Sequence, residues 1–319
     1  MEQVPRLLLK LSQRLFADSQ EQDAFVHSLL HPAAPNPCIL WCQEKRQDSP
    51  FELEPPLPWQ PEFVDRLVGG QKPGQHPLHQ QGAFYCLDFS SVFAIAPLVL
   101  LQSMQPSPVE VILDVCASPG GKSIFAWVAL QPRLLISNEV IGKRMAALIS
   151  NLKRCHIAPA IATNLDSKIL AQQVARTAQV VLVDAPCSGQ SLLAKGDKAP
   201  GCFHPVTINS NANRQKRILA NSAQLVAPGG YLIYMTCTYS PEENEQVAAW
   251  FAQRFPQFQA IAVPQLAAYQ SHLADFPCYR MFPQANPGAG AFTVLLQNRE
   301  AGEQQVVPEA FLTRGVQFR

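Results

Sequence analysis

An α/β fold is the class this sequence predicts: a mostly parallel sheet with helices on both faces, preceded by a small N-terminal α/β domain. Three observations carry the prediction. Short apolar runs at 109–115, 134–138, 158–163, 179–184, 230–236 and 291–297 alternate with helical patterns at 121–130, 141–154, 167–176, 212–226 and 242–254. Such alternation means parallel strands joined by helical crossovers. The first run empties into a loop of small residues, Ala117-Ser118-Pro119-Gly120-Gly121, at a strand's carboxyl end, where open α/β sheets hold ligands. Two later runs each reach a cysteine where a turn begins, Cys187 after Asp184-Ala185-Pro186 and Cys237 after Met235-Thr236.

Taken in order, Leu7, Leu11, Leu15, Phe25 and Leu29 recur at helical spacing, which predicts one or two amphipathic helices over 5–30. Ile39-Leu40-Trp41 reads as a short strand, and Ser49 to Pro61, rich in proline, as an irregular connection. Ser90 begins a long apolar helix reaching about Ser103. In 141–154, Ile141, Met145, Leu148, Ile149 and Leu152 share one face. The segment 189–211, with Gly196, Pro200, Gly201 and Pro205, reads as a loop beside the cysteines. Ser240-Pro241-Glu242-Glu243 reads as a helix start, with Ser at the N-cap, Pro at the first position and acid in the first turn. The expected division is an N-terminal domain over 1–78, a catalytic domain over 79–300 and a C-terminal tail over 301–319.

Composition narrows the class. With 319 residues, 47% of them hydrophobic and 15% charged, the chain is long enough to bury a sizeable core. The most apolar stretch, Val92 to Leu101, stops at Gln102, too short to span a bilayer. Arg6, Lys10 and Arg14 interrupt the leucines of the N-terminus, which therefore lacks a signal-peptide core. Nine cysteines, an odd number with no Cys-x2-Cys pair, point to free thiols in a reducing compartment. A soluble, cytoplasmic monomer with no membrane partner is expected. Cys38 and Cys42 stand without a second pair, which argues against zinc. Net charge is +1, so any grip on a polyanion must be local. The candidate clusters are Lys143/Arg144 with Lys153/Arg154, Lys195/Lys198, and Arg214/Lys216/Arg217, each of which also reads as a solvated face.

The loop ending Gly120-Gly121-Lys122-Ser123 has the close of a phosphate-binding P-loop, with Val180 to Asp184 as its acidic partner strand. The P-loop pattern requires glycine where this chain has Cys116. No GxGxxG occurs in the loop either, which weakens a dinucleotide reading.

The segments Asp114 to Ser123, Asp184 to Gly189 and Thr236 to Glu245 resemble, in order and spacing, the Sun-type (RsmB/RsmF-like) family of RNA 5-methylcytosine methyltransferases. Weaker similarity runs from about Gln81 to Gln297. The resemblance implies a Rossmann-like class I methyltransferase domain, S-adenosylmethionine as cofactor, and RNA as partner, ribosomal RNA ahead of transfer RNA. It places Asp114, Cys116, Ala117, Ser118, Pro119, Gly120, Gly121, Lys122, Glu139, Arg144, Asp166 and Asp184 around the cofactor. Gly120 and Gly121 would leave backbone bare for the ligand, and the helix start would offer N–H groups to its carboxylate. Lys122 would add a charge or sit solvated. Glu139, 25 residues past Asp114, stands where a carboxylate accepts ribose hydroxyls. Asp166 matches a residue near the adenine amino group and also reads as a helix N-cap.

The chemistry implied is covalent. Cytosine carbon 5 becomes nucleophilic only after a nucleophile adds at carbon 6, and a thiolate suits that task. The resemblance makes Cys237 the nucleophile and Cys187 the residue of product release, with Asp184 bonding ring nitrogen 3 or positioning the loop. DNA cytosine methyltransferases attack with the other, Pro-Cys cysteine, so chemistry alone leaves the two roles interchangeable. Phe203 and His204 would stack on the flipped base or pack. Leu87-Asp88 and Pro283-Gln284 depart from the family pattern, and the first 75 or so residues match loosely. An inactive RNA-binding homologue is the alternative, against which both cysteines, Asp184 and the glycine loop are retained.

Overall fold

The computed structural model describes residues 4–33, 37–44, 49–104, 108–285 and 287–318. Helices α1 (Arg6–Leu15) and α2 (Ser19–Leu30) form where the leucine spacing predicts them, the second capped by Asp18, which accepts from Gln20 N at 3.3 Å. Their apolar faces bury Leu8, Leu11, Leu15, Phe25 and Leu29 in a cluster that also contains Tyr239 and Ala289. The N-terminal helices thus pack on the loop that follows Cys237.

Strand β1 (Cys38–Trp41) pairs antiparallel with β2 (Val64–Arg66) on one side. Past the short helix α3 (Pro77–Gln80), β3 (Phe84–Leu87) pairs with its other side. The expected division at residue 78 therefore falls between two strands of one sheet. Cys38, Leu40, Val64 and Tyr85 of this small sheet share a buried apolar cluster with Ile112, Ile124 and Phe125 beyond it.

The long helix expected from Ser90 is two helices, α4 (Phe89–Ile95) and α5 (Pro97–Met104). Pro97 breaks it, having no N–H to give and a ring that clashes with the preceding turn. The cap is Asp88, whose side chain accepts from Ser90 N at 2.9 Å.

The large sheet follows. Strand β4 (Val111–Asp114) leads through α6 (Gly121–Leu130) to β5 (Leu134–Asn138), and α7 (Met145–Arg154) leads to β6 (Ala160–Thr163). Helix α8 (Ser167–Gln173) brings the chain back to β7 (Ala178–Asp184), and α9 (Pro205–Ala223) carries it on to β8 (Val226–Thr236). These five strands are parallel in the order β8-β7-β4-β5-β6. The chain runs outward from β4 through β5 to β6, then returns to the other side of β4. A crevice opens where such a sheet reverses direction, at the carboxyl ends of β4 and β7.

Helix α10 (Glu245–Arg254), β9 (Phe258–Ala260), β10 (Tyr279–Met281) and β11 (Ala291–Asn298) complete that flank, with β11 antiparallel to β8. The segment expected as a tail holds α11 (Glu309–Leu312) and β12 (Val316–Phe318), the latter pairing with β6 at the far edge.

Several element boundaries differ from expectation, among them α7, which starts at Met145 instead of 141, and β8, which starts at Val226 instead of 230; two further ones bear on the site. Helix α9 starts at Pro205 instead of 212, because His204 Nδ1 accepts from Val206 N at 3.3 Å and Pro205 suits the first position. Helix α10 starts at Glu245 instead of 242. Residues 241–244 are turns, since Asn244 spends its side chain on Thr236 Oγ1 and on Thr238 O, holding the chain back from helical entry. Among the described residues no helix is long and apolar enough to cross a membrane.

Candidate active site

Parallel pairing brings the carboxyl ends of β8, β7, β4, β5 and β6 side by side, and each end delivers a predicted residue. The registers pair Asp184 with Met235 on β7–β8, Asp114 with Leu182 on β4–β7, and Asn138 with Thr163 on β5–β6. Cys237 follows β8, Asp184 and Cys187 end β7, the small-residue loop follows β4, Glu139 follows β5, and Asp166 follows β6.

Cys187 Sγ and Cys237 Sγ stand 3.3 Å apart, both half-buried. Hydrogen bonding between the sulfurs raises the Cys187 thiol well above its ordinary range, and burial adds to that. The same bond lowers Cys237, against burial and the Asp184 carboxylate, with the Lys122 ammonium assisting. The anion of the pair therefore belongs on Cys237. Lys122 Nζ donates to Asp184 Oδ2 at 2.7 Å. Burial pushes the Lys122 ammonium down, but the facing carboxylate outweighs it and leaves the group above its ordinary value.

A cavity of about 690 Å³ opens beside the sulfurs, within the roughly 300–1,000 Å³ of small-molecule sites. Cys116, Ser118, Glu139, Arg144, Asp166, Asp184, Cys187 and Cys237 line it. Glu139 is buried, and its Oε1 accepts from Ile141 N at 2.8 Å. Its Oε2 has no hydrogen-bond partner among the described residues, although Arg144 Nη1 lies 3.3 Å away. Arg144 also donates to Ser118 O, and Ser118 Oγ returns a bond to Arg144 O at 2.9 Å. Asp166 caps α8 by accepting from Lys168 N at 2.9 Å, so the cap reading holds while the residue also faces the cavity. The wall beyond Glu139 is Val140 and Ile141, 50% and 41% exposed. An orphaned carboxylate oxygen next to bare apolar side chains fits a ligand with hydroxyls at one end and a flat ring at the other, as in an adenosyl group.

Asp114, Ala117, Pro119, Gly120, Gly121 and Lys122 do not line the cavity. Asp114 is fully buried and braces the loop, accepting from Ser123 Oγ at 2.7 Å and Cys116 N at 3.3 Å. Gly120 has φ +112°, a left-handed turn that glycine permits. A Cβ on Gly121 would come within 2.6 Å of Leu87 Cδ1, so this glycine lets α6 pack against β3. The two glycines thus serve a turn and close packing. Lys122 turns away to Asp184, leaving no lysine over a phosphate cradle as a P-loop would need.

Several cavity residues escaped the sequence reading. Asn138 is a buried hub, with Nδ2 donating to Val115 O and Leu165 O while Oδ1 accepts from Thr163 Oγ1 and Leu165 N. Inside an apolar strand nothing marked it. Val140 and Ile141 carried a signal, two apolar residues just past a strand end. Arg214, Arg217 and Ile218 of α9 also line the cavity, whereas Lys216 lies over the Trp250 ring at 5.7 Å, so the predicted cluster splits between two faces. Of the other cationic candidates, Arg154 donates to His79 O at 2.7 Å and Lys195 pairs with Asp88 at 3.3 Å. His204 caps α9, and Phe203, partly buried, packs against the cluster of Leu15, Phe25 and Tyr239.

Burial raises the Asp114 carboxyl to about 7, against the opposing bond from Ser123. The folded chain thus holds a proton that the unfolded chain releases near the ordinary carboxylate range. This contribution to stability is complete below that range and is lost as pH rises through about 7, with a slope of up to about 1.4 kcal/mol per pH unit. Asp114→Asn keeps an acceptor for Ser123 and removes the titration. Urea unfolding should show a flatter pH profile for the variant between the two values; an unchanged slope would place the titration elsewhere.

A family model described as 16S rRNA methyltransferase RsmB/F matches residues 101–297, more than half of the chain. Ribosomal RNA small subunit methyltransferase F of Cronobacter sakazakii is 29% identical over 261 residues, covering 79% of this chain and 53% of the relative. The same protein of Shewanella amazonensis is 31% identical over 202 residues, covering 63% and 42%. The chain spans about half the length of the curated relatives it matches. Among solved structures, a methyltransferase homolog protein from Pyrococcus horikoshii superposes with TM-score 0.69 at 20% identity, covering 92% of this chain and 99% of that one. NSun6 from the same organism, solved with SFG, gives TM-score 0.71 at 17% identity, covering 93% and 99%. The fold is that of the Rossmann-like methyltransferases, and the chain belongs to the RsmB/F family of S-adenosylmethionine-dependent methyltransferases.

Proposed function

We propose that the chain is an S-adenosylmethionine-dependent RNA cytosine-5 methyltransferase that acts on ribosomal RNA through a covalent Cys237 adduct. The observation that carries this reading is the pair of sulfurs 3.3 Å apart at neighbouring strand ends, beside the Lys122–Asp184 pair. Methylation at carbon 5 needs a nucleophile at carbon 6 and then a base at carbon 5, adjacent ring atoms that two adjacent thiols suit.

The Cys237 thiolate adds at carbon 6 of a base splayed from its stack, forming a C–S bond and moving the double-bond electron pair onto carbon 5. Asp184, held by Lys122, accepts a hydrogen bond from ring nitrogen 3 in its protonated form and so favours the electrophilic cytosine, while the Lys122 charge lies beside the Cys237 anion. S-adenosylmethionine, when bound, supplies an electrophilic sulfonium methyl to carbon 5. Cys187, or a water it orders, then takes the carbon-5 proton; the electron pair left behind restores the ring double bond as the C–S bond breaks and Cys237 departs as thiolate. Glu139 would accept the ribose hydroxyls on its Oε2, which has an ion pair with Arg144 but no hydrogen-bond donor among the described residues, with Val140 and Ile141 beneath the adenine, Asp166 near its amino group, and Ser118 and Arg144 closing the loop over the ligand.

Arg214 and Arg217, exposed at the cavity rim, would hold the phosphates of the RNA strand. Reversing both to Glu should weaken binding across RNA sequences alike and lower the salt dependence, by about one counterion per lost contact. Lys216→Glu, on the Trp250 face, should leave both unchanged. Equal losses from the two changes would refute this footprint.

The cysteine assignment separates by product. With RNA and methyl donor, Cys237→Ala should give neither methylation nor a denaturation-resistant protein–RNA complex. Cys187→Ala should still attack and methylate but eliminate slowly, trapping a complex that vanishes in the double variant. Accumulation of the complex by Cys237→Ala, and its absence from Cys187→Ala, would reverse the roles.

A further inference from the structure

We infer that Glu243 is a positioning residue that makes the two thiols unequal, keeping the shared proton on Cys187 and the anion on Cys237; this rests on the two-thiol reading above. Glu243 is fully buried and lines no cavity, so it does not touch substrate. Its Oε2 accepts from Ser188 N at 2.9 Å and from Gln215 Nε2 at 2.9 Å, and its Oε1 accepts from Ser188 Oγ. Ser188 directly follows Cys187. Its hydroxyl lies 2.7 Å from Thr238 Oγ1, and Thr238 directly follows Cys237. Gln215 Nε2 also donates to Pro186 O at 3.0 Å. One carboxylate thereby fastens the backbone on both sides of Cys187 and, through Ser188, ties it to the residue after Cys237.

An N–H only donates, so Oε2, bound by two of them, acts as an acceptor, as expected of a carboxylate. Burial raises this carboxyl, and the bonds from Ser188, Gln215 and Thr238 oppose that. Of two sulfurs 3.3 Å apart either can donate to the other, and the surrounding charges decide which loses its proton first. From α6, Lys122 bears on Cys237; from the end of β7, Asp184 opposes it. On the Cys187 side the charge is Glu243, which adds to the rise of that thiol after the sulfur contact and burial. Tyr234 of β8 and Tyr239 of the Cys237 loop, both held neutral by burial, donate to Glu243 O and Ala289 O. Glu245 is spent on Arg280. Glu243 is thus an anion toward Cys187, while toward Cys237 the Lys122 cation offsets part of the Asp184 anion. Once Cys237 is bonded to carbon 6, Cys187 no longer faces a thiolate; its thiol proton passes to water in the cavity it lines, leaving the thiolate that takes the carbon-5 proton.

The test uses the full chain without RNA or methyl donor, so its outcome is independent of whether methylation occurs. Initial rates of iodoacetamide labelling at Cys187 and Cys237 are measured by peptide mass spectrometry across the thiol titration range. In the wild type, Cys237 should lead by about tenfold or more at neutral pH, as a thiolate-forming cysteine does over one held as the thiol. Glu243→Gln keeps an acceptor for the two N–H groups and drops the charge, and the lead should shrink to within about threefold, as expected from the loss of a like-charge neighbour. Ser188→Ala keeps the charge and should keep the lead. An unchanged lead in Glu243→Gln overturns the proposal, as does a lead lost in a folded Ser188→Ala. Should Glu243→Gln not fold, the wild type and Ser188→Ala decide: Cys187 labelling first in the wild type contradicts the inference.

Discussion

The parallel hydrogen bonding of β7 to β8 is the constraint on which the site depends. Its register sets Asp184 opposite Met235, and Ala185 N continues the ladder by donating to Met235 O at 3.0 Å. From there each chain turns within a few residues into its cysteine, so two thiols far apart in sequence meet with little freedom. A slip of one residue would send alternate side chains to the opposite face of the sheet. Both strands are buried, with Val181, Val183, Leu232 and Tyr234 in one apolar cluster, and the core thereby enforces the register. The two cysteines are thus carried at the ends of two buried, paired strands, as a preorganised site requires.

The next layer is polar. Glu243 joins the two cysteine loops, and Gln190 joins the following turn to the same place, accepting from Tyr239 N at 2.9 Å and donating to Ser240 Oγ at 2.7 Å. Arg280, paired with Glu245, also donates to Tyr239 O at 2.8 Å. Tyr239 packs edge-on against Phe25 of α2, with centroids 5.0 Å apart. The N-terminal helices, distant in sequence from either cysteine, therefore bear on the loop of Cys237 through an aromatic contact. Their influence on the site is positional.

The sheet was legible because period and punctuation agree: short apolar runs, a small-residue loop, and turn residues after each strand. The two cysteines and Asp184 were legible because they end such runs. Legibility stopped where a residue's role depends on partners remote in sequence. Glu243 read as a first-turn acid because its spacing after Ser240 and Pro241 is that of a helix start, yet its partners, Ser188 and Gln215, come from other segments. Asp114 and Gly121 read as ligand contacts because loops after first strands hold ligands, and nothing in the sequence marked their partners Ser123 and Leu87, through which they also brace the loop and pack α6 on β3. The missed start of α9 had a local signal, His204 before Pro205, concealed by the glycines and prolines that made the whole segment look like a loop.

The account centres on a methyl group placed on carbon 5 of cytosine by this chain. The most direct measurement incubates the purified protein with unmodified small-subunit ribosomal RNA and S-adenosylmethionine, then identifies the modified nucleoside by mass spectrometry. The account predicts 5-methylcytidine, absent when Cys237 is replaced by alanine. A methyl group on another atom of cytosine, on another base or on the ribose would contradict it.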